Sequence, residues 1–485
     1  MSEANRRNCE QKEKLSLKTI IKNGTVITAG DTFQADVMVE NGKIVQLGID
    51  IDPAGTATVI DATDKLIMPG GIDVHTHLAM PFGGTMSSDD FFTGHQAAAF
   101  GATTTHIDFV IQPIGGSLQN GIDDWHAKSK DKAAIDYGFH MAITDLRDEV
   151  MAEIPGLVAQ GITSIKLFMA YKNVLQVDDT TLFRAMSKAA ENGILTMVHA
   201  ENGDVIDDLV TKALANGQTD PIYHAKTRPS AVEGEATGRA IALAGVANAP
   251  LFVVHMTCIE ALEQLALGRE KGYPVMGETC VQYMHIFEDD LAKPGFEGAK
   301  FVCSPPVRQP KDAAAIWKAL QSGAIQSVST DHCPFWFEGG IDGRSKGKEL
   351  GLGDFSKIPN GMPGIEDRMG VMWHHGVNSG KLSPNRFVEL LATNPAKMFG
   401  LYPHKGTISI GADADIVIWD PKKEHTISAA THHMATDYNV YEGMTCVGWA
   451  DKVLLRGNLV VDGDQWLGEA GSGRFLHRQS HAEVL

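Results

Sequence analysis

Eight short apolar runs, each followed by a segment long enough for a helix, constrain this chain more than any other feature. They read IDVHTHL (72–78), TTTHIDFV (103–110), YGFHMAIT (137–144), SIKLFMA (164–170), LTMVHAE (195–201), LFVVHMT (251–257), VMGETC (275–280) and SVSTDHC (327–333). Runs this short and apolar predict strands buried on both faces of a parallel sheet. Between them, DDTTLFRAMSKAAENG and PSAVEGEATGRAIALAG carry helical spacing. Eight β-then-α units in a row predict an α/β fold, a (β/α)8 TIM barrel, over a doubly wound sheet. No glycine-rich dinucleotide fingerprint opens the first helix, which removes the main rival.

The flanks have a different texture. TIIKNGTVI and ADVMVENGKIVQLG near one end, and GTISIGADADIVIWD and DKVLLRGNLVVDG near the other, alternate short β-type runs with turns. Asn41-Gly42 between apolar stretches is a hairpin signal. Either end alone makes too small a sheet, so the two are expected to combine. The expected organisation is a polar leader (1–17), a β-sandwich from 18–66 plus 406–470, a barrel over 67–405 and a C-terminal tail (471–485). The leader lacks the apolar core of a secretory signal. The tail, GRFLHRQSHAEVL, is expected to pack on a neighbouring subunit. The glycine-rich loop after the eighth run, FEGGIDGRSKGKELGLGDFSKIPNGMPG, has a length that marks function or disorder.

A net charge of −18 with no basic stripe argues against nucleic acid and anionic membrane surfaces as partners. No apolar run reaches the length of a transmembrane helix. Six cysteines without a C-x-x-C pair fit a reducing cytoplasm.

Chemistry gathers at the ends of the eight runs, on the face where barrel enzymes build their sites. His75 and His77 are two apart in a strand and point to one face. His199, His255 and Asp331 close the fifth, sixth and eighth runs. Any one could be an ordinary buried polar residue, as His106, His285 and His332 are read to be. Together they predict a metal centre.

Lys166 lies inside the fourth run, between Ile165 and Leu167. Burying an ammonium there costs several kcal/mol even after relaxation, on the order of other buried ions. As an ammonium it has no lone pair for a metal. Burial and neighbouring cations favour the neutral amine, which can add carbon dioxide and become a carbamate able to bridge two metals. A Schiff-base or snorkelling lysine fits this position less well.

The series GxDxHTH, strand lysine, two single histidines and STDH resembles the amidohydrolase superfamily with a binuclear metal site. More narrowly, HTHLAMPFGGT, IKLFMAYKN, HAEN, CSPPVR, STDHCPF and IPNGMPGIEDRM resemble the dihydropyrimidinases and bacterial hydantoinases, over about residues 18 to 465. The resemblance implies that His75 and His77 bind one divalent metal and His199 and His255 the other. N6-carboxylysine at Lys166 bridges them, and Asp331 ligates on the His75 side and moves the proton. Tyr171 donates to the substrate carbonyl, and the backbone at Ser304 and Asn360 holds the cyclic amide edge.

The implied cofactor is two zinc ions, with manganese and cobalt as alternatives. The implied assembly is a homotetramer. The implied reaction is hydrolytic ring opening of 5,6-dihydrouracil, dihydrothymine and 5-substituted hydantoins to N-carbamoyl amino acids. Met80, Phe82 and 168–174 are expected to meet the ring substituent. Dihydroorotases carry an arginine two residues after H-x-H, where Ala79 stands here; allantoinases match PFGGT and PNG less well. Collapsin response mediator proteins are non-catalytic and lack the ligands, all six of which are present here.

Overall fold

Each of the eight apolar runs forms a strand, and the strands pair in chain order into one parallel sheet. They span Gly71–Thr76, Thr103–Ile111, Asp136–Ala142, Ser164–Phe168, Leu195–His199, Leu251–Val253, Val275–Cys280 and Ser327–Ser329. This computed structural model describes residues 18–53, 58–482 and 484; the leader expected at 1–17 lies outside them. Helices cover the outer face of the ring and strand side chains fill its inside, so most strand residues are buried on both faces. A parallel bridge between Thr76 and His332 joins the first strand to the chain just past the eighth, closing the ring. The structure is therefore a (β/α)8 barrel with a β-rich addition.

That addition is built from both ends of the chain. Four strands, Lys43–Gly48, Asp36–Glu40, Lys18–Lys22 and Thr58–Asp61, form one sheet. A seven-stranded sheet joins the termini where Ile416–Thr426 runs antiparallel to Leu66–Pro69. Ile21, Val37, Ile60, Ile67, Ile416 and Leu454 share one apolar core between the sheets. The Asn41-Gly42 turn has φ of 52° and 80°, the left-handed pair that a two-residue hairpin requires. Lys405, buried, ties addition to barrel through Asp136 at 2.6 Å, Asp413 at 3.1 Å and Asp415.

The C-terminal tail packs on its own barrel. Leu476 N–H donates to Tyr137 O at 2.7 Å, Arg478 N–H to Gly161 O at 3.1 Å and Gln479 N–H to Gly400 O at 2.9 Å. Tyr137 and Gly161 sit where the third and fourth strands enter the barrel, on the face opposite the predicted site, and the tail satisfies backbone carbonyls there. Arg478 is 3% exposed, with its guanidinium 2.9 Å from Ser164 Oγ. Among the described residues no helix is long and apolar enough to cross a membrane.

Candidate active site

At the mouth of the barrel, where the strands end, the chain takes conformations that side chains rarely adopt. Ala79, Tyr171, His255 and Asp331 have φ of 48°, 69°, 40° and 50°. Left-handed backbone costs a non-glycine residue on the order of 1–3 kcal/mol and clusters at functional sites. Three of these four are residues singled out from the sequence.

The six candidate ligands converge on one cleft, which Tyr171, Ser304 and Asn360 also line. His75 Nε2 and His77 Nε2 lie 3.2 and 3.1 Å from the same oxygen, Asp331 Oδ1. His199 Nδ1 faces His255 Nε2 at 2.9 Å. Lys166 stands between the groups, its Nζ 4.7 Å from the centre of the Phe109 ring and 5.1 Å from that of Phe168. Among the described residues no hydrogen bond or ion pair reaches that nitrogen. Burial pushes its ammonium down to about 8, even with Asp331 and Glu278 pulling the other way.

Partners on the far side of each ring assign the imidazole tautomers. His75 Nδ1–H donates to Glu278 Oε1 at 2.7 Å, so Nε2 turns a lone pair toward Asp331. His199 Nε2–H donates to Glu201 Oε2 at 2.9 Å, leaving Nδ1 with a lone pair facing His255. Burial drives His75 and His255 well below the ordinary imidazole range, toward the neutral form that ligates. Burial would raise Asp331, but the facing His75 and His77 hold its carboxyl below the ordinary range. A lone pair 3.2 Å from a carboxylate oxygen is repulsive unless a cation lies between them. Among the described residues, buried His77 Nδ1 and His255 Nδ1 also lack partners. This nitrogen and oxygen donor set fits two divalent ions of the zinc type.

On the opposite wall, burial raises the Tyr171 phenol, which keeps it a hydrogen-bond donor. Asn360 Nδ2–H donates to Ser304 Oγ at 3.0 Å, joining the two segments expected to hold the ring edge. Phe82 stacks edge-on against Tyr171 at 5.2 Å, and Met80 and Phe168 line the same cleft. The remaining histidines sit elsewhere. His106 bonds His95 and Thr76, His332 pairs with Asp89 at 3.0 Å, and His285 packs against His375.

The sequence reading passed over three further groups. Glu278 stands inside an apolar run just as Lys166 does, a signal that was available. Glu201 lies two residues past His199 in HAEN. His224 has no sequence signal: its Nε2–H donates to Cys303 O at 2.8 Å, and Arg228 donates to its Nδ1 at 3.1 Å.

The barrel and the polar cluster at its mouth define a barrel hydrolase, and residues 66–460 match the model of the amidohydrolase family. The chain belongs to that family. It is 51% identical to a D-hydantoinase of Geobacillus stearothermophilus, over 96% of this chain and 98% of the relative. It is 41% identical to a dihydropyrimidinase of Rattus norvegicus, over 96% and 90% of the two chains. The crystal structure of a dihydropyrimidinase from Brevibacillus agri NCHU1002 superposes with a TM-score of 0.94 at 53% identity, covering 96% of this chain and all of that one.

Proposed function

We propose that this protein opens the rings of dihydropyrimidines and 5-substituted hydantoins, releasing N-carbamoyl amino acids. The observation that carries the reading is the convergence of four imidazoles, Asp331 and an unpartnered buried Lys166 on one cleft. D-hydantoinases and dihydropyrimidinases among its relatives support the substrate class. In this reading 67–405 is the catalytic barrel and 18–66 with 406–470 its β-sandwich.

His75, His77 and Asp331 would hold one zinc ion and His199 and His255 the other, with carboxylated Lys166 between them. Bound there, the ions lower the pKa of water to about 7 and polarise the amide carbonyl. The neutral Lys166 amine forms its N–C bond to carbon dioxide and releases a proton, which turns a costly buried cation into an anionic ligand. Glu278 and Glu201 fix the rings of His75 and His199.

Tyr171 O–H donates to the carbonyl oxygen as negative charge develops on it. Main-chain groups at Ser304 and Asn360 hold the amide edge of the ring. Asp331 accepts a proton from the attacking water and returns it to the ring nitrogen, without which an amide anion is a very poor leaving group. Apolar Met80, Phe82 and Phe168 exclude water and suit a neutral ring substituent.

Among the described residues, five free, buried cysteines support a cytoplasmic location. Resemblance to the hydantoinases supports a homotetramer, which sedimentation would read as four times the chain mass. The test of function is kcat/KM of zinc-loaded protein on dihydrouracil and a panel of 5-substituted hydantoins, with dihydroorotate and allantoin as controls. Turnover of the first two sets well above the controls is expected. No turnover of any ring with both metals bound would overturn the substrate class.

A further inference from the structure

The long glycine-rich loop after the eighth strand carries a second fully buried lysine. Lys348 is 0% exposed, and its Nζ donates to three main-chain carbonyls: Val302 at 3.0 Å, Pro359 at 2.7 Å and Gly361 at 2.7 Å. Among the described residues no carboxylate pairs with it. Two of those carbonyls flank Asn360, and the third stands two residues before Ser304. The ammonium thus sits behind the two wall segments, outside the cleft that they line.

The loop is built to deliver it there. Lys348 N–H donates to Trp336 O at 2.7 Å, and the Glu349 carboxylate accepts from Gly347 N–H at 2.8 Å and Gly339 N–H at 3.1 Å. A Cβ on Gly347 would fall 1.9 Å from Trp336 O, and one on Gly361 would fall 2.2 Å from Cys333 O, so both approaches need glycine. Apart from Lys348, the two segments meet through Gly361 N–H to Val302 O at 3.0 Å and Asn360 to Ser304. A buried ammonium with three dipoles and no counter-ion is a costly way to fill space. Its three tetrahedral donors suit the fixing of three carbonyls relative to one another.

We propose that Lys348 is a positioning residue for substrate binding, which sets the spacing of the Ser304 and Asn360 segments and so the edge that receives the cyclic amide. This rests on the function proposed above. Burial drives its ammonium down to about 7, with Cys303 and Cys333 acting the other way, and the three carbonyl contacts fix where the nitrogen sits.

The test uses zinc-loaded, full-length Lys348→Met and Lys348→Gln. In Lys348→Met, KM for the better ring substrate should rise about tenfold or more while kcat stays within about threefold. Zinc content should not change. Lys348→Gln keeps two N–H donors and should fall between wild type and Lys348→Met. Hydrogen exchange should show lost protection at the Gly361 amide and in 302–304, with the barrel strands unaltered. Unchanged KM in both variants, or a fall in kcat at constant KM, would overturn the proposal. If Lys348→Met does not fold, Lys348→Gln carries the same measurements. If wild type turns over no ring, the substrate reading has failed by itself. Exchange then decides the lysine's role, and unchanged protection at Gly361 and 302–304 would end it.

Discussion

Lys166 and Lys348 are both fully buried in one barrel, and their surroundings could hardly differ more. Lys348 has a carbonyl for each of its three N–H groups. Lys166 has aromatic rings beside it, two carboxylates at a distance and no hydrogen bond among the described residues. Burial lowers both ammoniums, Lys348 to about 7 and Lys166 to about 8; the difference is that three hydrogen bonds fix the Lys348 nitrogen while none among the described residues competes for that of Lys166. Lys405 is a third case, a buried ammonium among Asp136, Asp413 and Asp415 that binds one part of the fold to another. The same side chain serves chemistry, positioning or cohesion according to what surrounds its nitrogen.

Removing each lysine in turn would break or sharpen that contrast. Lys166→Ala should lose both metals and lower kcat/KM by about a thousandfold or more, with partial recovery when a short carboxylic acid replaces the carbamate. Metal analysis beside kinetics checks this, and a variant that keeps two metals and full turnover would refute the carbamate role.

Lys405→Met should leave the site intact and cost stability instead, about 3–5 kcal/mol, because buried Asp415 loses its cation while Asp136 and Asp413 keep only Arg456 and Lys43. Burial lowers the Lys405 pKa, but Asp415, Asp136 and Asp413 together raise it above its ordinary 10.5. Its stabilising contribution is thus complete below pH 10.5 and fades as pH climbs through the folded value. Thermal unfolding should show a Tm gap that holds across neutral pH and closes only in strong alkali.

Lys166 also predicts how the metal-free protein is reactivated. Burial holds its pKa well below the ordinary lysine value, so a larger share of the amine is neutral at pH 8.5 than at pH 6.5. At equal dissolved carbon dioxide and zinc, recovery of activity should be severalfold faster at the higher pH. A flat profile would mean that carbamate formation does not limit assembly. The narrowest effect belongs to Lys348→Met, about tenfold and confined to KM.

The barrel strands were legible in the sequence to within a few residues, because a parallel sheet buried on both faces requires continuous apolar runs. The same rule made Lys166 conspicuous: a charge inside such a run needs a reason. Glu278 obeys the same logic in VMGETC. Residues that act through distant backbone have no such signature. Lys348 reads as one more basic residue in a glycine-rich loop, and its acceptors are carbonyls that every residue possesses. His224 meets Cys303 from 79 residues away. The tail resembles any polar terminus until Arg478 is seen beneath the barrel.

By itself, then, the sequence determined the barrel, the β-rich flanks and the donors at the strand ends, because periodicity and residue type act locally along the chain. Only the tertiary structure decided which nitrogen of each imidazole faces the cleft, which carboxylates orient them and which buried lysine is satisfied. Those properties depend on distances between groups far apart in the chain, and the free energy of a buried charge is set by its nearest neighbours in space.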